Sequence, residues 1–161
     1  MDRLWTPWRY SYVTSEAPAG CIFCEKASCG DDEAALVVHR STRNFILLNT
    51  YPYTNGHIMI APYEHVATLG EAAEETVVEM MLLARLAERV LRETHRPKGF
   101  NLGMNLGHCA GAGVADHIHL HMLPRWPGDV SFMTTIGETR LLPEDLHSAW
   151  EKLRKAFCDN G

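Results

Sequence analysis

The 161-residue chain is predicted to fold as an α+β domain with a mostly antiparallel sheet of five strands and two helices. Three observations carry this. Around residues 117–124 apolar and polar residues alternate, so that His117, His119 and His121 share one strand face while Ile118, Leu120 and Met122 share the other. Residues 71–94 instead repeat apolar side chains every three or four positions, as one face of a helix does. Strand-like and helix-like segments do not alternate, which argues against a doubly wound parallel sheet.

Composition sets the bounds. With 46% hydrophobic and 22% charged residues, the chain is globular, long enough for one domain and too short for two. A net charge of -5 argues against a nucleic-acid polymer as partner. It leaves room for a small polyanion, because a pocket supplies its own donors through backbone N–H groups. No segment reads as a membrane span; the most apolar stretch, 77–91, is broken by Glu79, Arg85, Glu88 and Arg89. The first residues lack the apolar run of a signal peptide. The cysteines, Cys21, Cys24, Cys29, Cys109 and Cys158, are odd in number and clustered, which suits reduced thiols or a metal site. A cytoplasmic protein is expected.

Residues 1–20 read as an irregular arm anchored by Trp5, Trp8, Tyr10 and Tyr12, laid over the domain or a partner subunit. Residues 34–40 and 44–49 form a predicted hairpin around Ser41-Thr42-Arg43. Tyr51-Pro52-Tyr53 and Asn55-Gly56 mark a loop, and the third strand, 57–62, stops at Pro62. In the 71–94 helix the predicted core stripe is Val78, Leu82, Leu86 and Val90, joined by Val77 and Met81. A fourth strand is expected at 100–106 and a fifth at 117–124. The second helix, 143–157, places Pro143 in its first turn and Leu146, Trp150, Leu153 and Phe157 on one face.

A row of imidazoles is costly as packing and useful as chemistry, since histidine serves as base, acid, nucleophile or metal ligand near neutral pH. The stretch from Asn105 to Gly113 is rich in glycine and alanine. Small residues leave backbone N–H groups open, so this loop is a candidate phosphate cradle, with Gly111 and Gly113 as its contacts. Cys21-x-x-Cys24 has metal-ligand spacing but supplies only half of a zinc site.

His117-x-His119-x-His121-x-x-Pro124, preceded by the Asn105–Gly113 loop and by Asn55-Gly56-His57, resembles the histidine triad (HIT) superfamily of nucleotide hydrolases and transferases. The likeness spans 21–125. Leu4-Trp5-x-Pro7-Trp8-Arg9 and Pro124-Arg125-Trp126-x-Gly128-Asp129-x-x-Phe132-Met133 further resemble the bacterial subgroup that acts on diadenosine tetraphosphate. The resemblance implies a single HIT domain: an arm at 1–20, a core at 21–125 and a helical extension at 126–161.

It implies His119 as the nucleophile that attacks an α-phosphate and becomes a nucleotidyl-histidine, with His57 and His121 beside it. It also implies that Asn49 bonds ribose and that Asn105 is the polar residue on the phosphate-facing loop. From the residues themselves, adenosine is expected in an apolar cleft near Phe45, Leu47 and Asn49, where a strand ends and a pocket can open. Donors near Arg125, Trp126 and the 105–113 loop are expected to decide between phosphate and water. The chemistry agrees, because a neutral imidazole attacks without deprotonation and a covalent intermediate divides one hard displacement into two easier ones. The resemblance also implies a structural Zn2+ on Cys21, Cys24, His65 and His117, with Cys29 and His39 in reserve. A homodimer through the fourth strand and the 71–94 helix is expected, because a small sheet needs its edge and apolar helix surface covered, and HIT relatives similarly pair two sheets into one. His95, His108 and His147 read as surface or loop residues. Gly113 departs from the Gln, Ser or Thr common there, so a side-chain donor to the leaving oxygen is missing. Two other readings are a metallohydrolase with the triad as metal ligands and a nucleotide-binding module without turnover.

Overall fold

Strands β1 (Val37–Arg40), β2 (Asn44–Leu48), β3 (Ile58–Pro62), β4 (Gly99–Gly103) and β5 (Leu120–Arg125) form one antiparallel sheet of order β1-β2-β3-β5-β4. Among the described residues three helices accompany it: α1 (Ile22–Ser28), α2 (Glu74–His95) and α3 (Leu146–Asn160). The computed structural model describes residues 20–129 and 144–160. The aromatic arm up to residue 19, Phe132-Met133 and Pro143 lie outside the described residues.

The register decides which side chains meet. Leu47 pairs with Met59, and Met59 with His121, so these three share a face. Phe45 and Ala61 lie on it too, and Phe23 of α1 covers it, giving one buried cluster. The reverse face, Ile46, Leu48, Ile58, Ile60, Leu120 and Met122, packs against α2 and α3. The histidine face is therefore the one carrying the single short helix.

Two expectations need correction. Helix α1 has no counterpart in the predicted pair of helices; seven residues are too few for periodicity to register. In α2 the predicted stripe is also rotated. Met80, Leu83, Ala84, Ala87, Val90 and Leu91 face the sheet, whereas Val78, Met81 and Leu82 are 53%, 56% and 56% exposed. The helix is apolar over more than one face, and Ala84 and Ala87 select the inward one because small residues permit close approach to a flat sheet. Arg96 closes α2 in the left-handed conformation, at φ 49°, and Pro97 prevents continuation.

Asp145 caps α3: its Oδ1 accepts the Ser148 backbone N–H at 3.0 Å and its Oδ2 the Ser148 hydroxyl at 2.7 Å. Trp150 Nε1 then donates to the Val37 carbonyl at 2.9 Å and Arg154 to that of Val38 at 3.2 Å. These bonds cover part of the free edge of β1. Ladder pairing of β5 begins only at Leu120, later than expected; His117 and His119 lie in the lead-in, held where the Ile118 N–H meets the Val66 carbonyl at 2.8 Å.

Candidate active site

His119 is 6% exposed, its ring 4.6 Å from that of Phe23 and edge-on to His121 at 4.8 Å. Its Nδ1 lies 2.9 Å from the carbonyl oxygen of His117. A carbonyl only accepts, so Nδ1 carries the proton and Nε2 is left with a bare lone pair. Among the described residues Nε2 makes no hydrogen bond. Burial holds His119 below the ordinary histidine range, partly opposed by its bond to the His117 carbonyl. The side chain is thus a neutral imidazole with one nitrogen ready to attack.

His57 and His121 are set by the same logic. The Tyr53 backbone N–H donates to His57 Nδ1 at 3.2 Å, and the Asn49 amide approaches it at 3.4 Å. The His57 proton therefore sits on Nε2, 2.9 Å from His121 Nδ1, which accepts it. His121 must then carry its own proton on Nε2 and present it as a donor. Burial, with the nearby His119, pushes His121 down to about 4, so this arrangement is the neutral one near pH 7. Asn49 Oδ1 is occupied by the Tyr51 N–H at 2.9 Å, which orients its amide toward His57.

Phe45 and Leu47, expected beside an adenosine, are both 0% exposed and back the histidine face instead of lining open space. The 105–113 loop contains a 3-10 turn, His108–Ala110, framed by Gly107 at φ 81° and Gly111 at φ 86°, backbone angles that favour glycine. Asn105 Nδ2 reaches the Gly111 carbonyl at 3.5 Å and braces the loop; Gly113 is exposed. Trp126 lies just past the end of β5, five residues beyond His121, and its indole N–H is bonded to the His95 carbonyl at 3.2 Å. Asp129 fixes that corner by accepting two bonds from Arg125, at 2.5 and 2.9 Å.

Cys21, Cys24, His65 and His117 converge, with all four ligand atoms within 4.8 Å of one another. Cys21 is the N-cap of α1 and Cys24 lies in its first turn, which brings the two thiols to the same end of the helix. Cys21 Sγ is 3.3 Å from His117 Nδ1, and Cys24 Sγ is 3.3 Å from His65 Nδ1 and 3.7 Å from His117 Nδ1. Zinc bond lengths imply S···N tetrahedron edges of roughly 3.6 Å, so the set could hold such an ion. His117 Nε2 donates to the Pro62 carbonyl at 2.9 Å, which leaves Nδ1 unprotonated and aimed at the thiols. Burial and the adjacent Cys21 push the Cys24 thiol up, and a bound cation would reverse that.

Cys29 bonds to the Asp31 carbonyl and His39 packs on Phe157, so neither reserve ligand joins the cluster. The triad rings face three different partners, which removes the reading of His117, His119 and His121 as ligands of one metal.

His108 and His147 are exposed as expected, but His95 is not: its side chain is 2% exposed, with Nε2 3.4 Å from Glu144 Oε2. A Cβ at Gly56 would lie 3.0 Å from that nitrogen, and Gly56 has φ +70°, so glycine is required before His57. Sequence reasoning missed Phe23, whose only signal is an aromatic residue inside the Cys-x-x-Cys segment. It also passed over Tyr53, whose ring lies 4.9 Å from that of His57.

This fold and histidine geometry belong to a known class: the chain is a member of the HIT family, whose domain model matches residues 32–128. Among its relatives is the AP-4-A phosphorylase of Mycobacterium tuberculosis H37Rv, 39% identical over 153 residues that cover 89% of this chain and 78% of the relative. A Zn-bound histidine triad family protein from Mycobacterium smegmatis superposes with a TM-score of 0.69 at 28% identity, covering 87% and 94% of the two chains. A histidine triad nucleotide-binding protein from Sulfolobus tokodaii shares the fold, with a TM-score of 0.68 at 24% identity and coverage of 86% and 93%. Among the described residues no helix is long and apolar enough to cross a membrane.

Proposed function

We propose that the chain is a dinucleoside polyphosphate phosphorylase working through a nucleotidyl-histidine at His119. The observation that carries the reading is the bare Nε2 of His119, enforced by the His117 carbonyl at 2.9 Å. That lone pair attacks the α-phosphorus, an N–P bond forms, and the bridging P–O bond breaks with its electron pair leaving on the nucleoside polyphosphate. His121 Nε2–H donates to a phosphoryl oxygen or the departing one, and backbone N–H groups of the 105–113 loop take up the remaining charge. This donor set stands in for the side chain that Gly113 lacks. Asn49 holds the ribose of the transferred nucleotide.

A second nucleophile then attacks the same phosphorus, breaks the N–P bond and returns neutral His119. Inorganic phosphate is the favoured acceptor, supported by 39% identity to a protein named AP-4-A phosphorylase. Diadenosine tetraphosphate then yields ADP and ATP, whereas water yields AMP and ATP. Product analysis with and without inorganic phosphate tests the reading. ADP formed only with phosphate is expected; AMP in both cases makes the protein a hydrolase, and no turnover favours a binding module.

Two further features complete the reading. Cys21, Cys24, His65 and His117 hold a structural Zn2+, which supplies folding free energy and no catalytic step. Two chains pair through β4, whose outer edge is free, and through α2, where Val78, Met81 and Leu82 are exposed apolar side chains.

A further inference from the structure

We propose that Tyr53, with Tyr51 beside it, is the stacking platform for the second nucleobase of a dinucleoside polyphosphate, the one that departs with the polyphosphate chain. The inference rests on the functional reading above and adds a subsite to it.

Tyr51 is 69% exposed and Tyr53 49%; among the described residues they are the aromatic members of the exposed large hydrophobic side chains. Both lie in the loop between Asn49 and His57. Exposed aromatic rings bury much area when a flat ligand covers them, and a nucleobase always presents a π face. A solitary exposed tyrosine requires no explanation, but two beside a nucleotide-handling histidine row do.

Their backbones are already fixed by that row. The Tyr51 N–H is bonded to Asn49 Oδ1 at 2.9 Å and the Tyr53 N–H to His57 Nδ1 at 3.2 Å. Pro52 has a locked φ and restricts Tyr51 to extended conformations. The rings therefore stand on a preorganised loop, which lowers the entropy cost of binding. The Tyr53 ring is 4.9 Å from His57 and lies 26° from parallel with His121 at 6.3 Å, so it continues the imidazole row out to the surface.

The substrate has two bases and only one travels with the phosphorus that His119 attacks. In-line displacement sends the leaving oxygen away from Nε2, and the polyphosphate carries the other nucleoside outward from the buried ring. A base at the end of that chain meets the rim, where the tyrosines are.

The test compares two substrates that deliver the same adenylyl group, diadenosine tetraphosphate and adenosine 5′-tetraphosphate, which lacks the second nucleoside. The readout is the ratio of their kcat/KM values. We expect Tyr53→Ala to lower the ratio about tenfold, Tyr53→Phe to keep it, and Tyr51→Ala to lower it less. These substitutions retain the backbone N–H groups that bond His57 (from Tyr53) and Asn49 (from Tyr51), so a merely structural defect slows both substrates alike and leaves the ratio unmoved. An unmoved ratio, or a phenylalanine variant as impaired as alanine, overturns the platform. If the wild-type protein processes neither substrate, the functional reading fails and the platform falls with it.

Discussion

The His117 carbonyl oxygen lies 2.9 Å from Nδ1 of His119, while the His117 ring faces Cys21 and Cys24. One residue thus turns its side chain into the candidate metal cluster and sets the tautomer of His119, the proposed nucleophile, with its backbone. In the proposed mechanism the metal site and the catalytic ring meet at that single residue.

Removing the metal is expected to lower stability first and activity second. Cys24→Ser should reduce metal content and melting temperature together, because binding to the native state adds to folding free energy. Elemental analysis beside thermal melts checks this. A metal-free preparation with unchanged melting and full activity would contradict the zinc assignment.

His119→Ala should abolish turnover, by about 4 kcal/mol or more of barrier, equivalent to at least a thousandfold in rate. The fold should remain, since the ring's neighbours Phe23 and His121 persist and only one partly polar side chain is lost. Nucleotide binding by calorimetry should survive. A variant retaining a tenth of wild-type rate excludes His119 as the nucleophile.

Phe23→Ala should be costly in two ways. It opens a cavity in the cluster of Val37, Phe45, Leu47 and Met59, typically about 3–5 kcal/mol for a buried phenylalanine. It also removes the ring packed at a tilt against His119, so kcat should fall more than the affinity for substrate. Denaturant unfolding and steady-state kinetics read the two effects separately; an unchanged kcat leaves Phe23 a packing residue only.

Stability should fall as pH drops from about 6.5 toward 4. His121 stays neutral in the folded chain down to about 4, whereas an unfolded histidine takes up its proton near 6.5. Above 6.5 both states are neutral and this group contributes no slope. Between the two values the unfolded state binds more protons, so acid favours unfolding. Buried His95, also held low, adds in the same direction. Melting temperatures of wild type and His121→Asn across pH 4–7.5 test it, and equal slopes would count against the assignment.

Leu82→Glu should convert the proposed dimer to a monomer. Leu82 is 56% exposed on α2 beside Val78 and Met81, so a charge there costs nothing in the isolated chain and much against a second apolar face. Sedimentation at micromolar concentration distinguishes the states; a monomeric wild type removes the interface.

The histidine row was legible because period two is a short, strong signal and because His117, His119 and His121 have no ordinary reason to line one face. The metal cluster was reachable only through family likeness, since His65 and His117 are 52 residues apart and nothing local links them to Cys21 and Cys24. Strand and helix positions followed from alternation and turn residues to within a few positions. The buried face of α2 did not, because its sequence offers two apolar stripes and only packing against the sheet selects one. His95 looked like a loop residue for the same reason: its burial depends on Gly56 and Glu144, distant in sequence.

The order of the sheet also dictates when the machinery first exists. His57 and His121 are 64 residues apart, and they touch because β3 pairs with β5 while α2 and β4 intervene along the chain. The β1–β2 hairpin and α2 are local and can form early, but bringing β3 and β5 together closes a long loop. During refolding, helical signal should therefore recover ahead of enzymatic activity. A nascent chain emerging from the ribosome carries no competent histidine pair until nearly all of the sheet has been made.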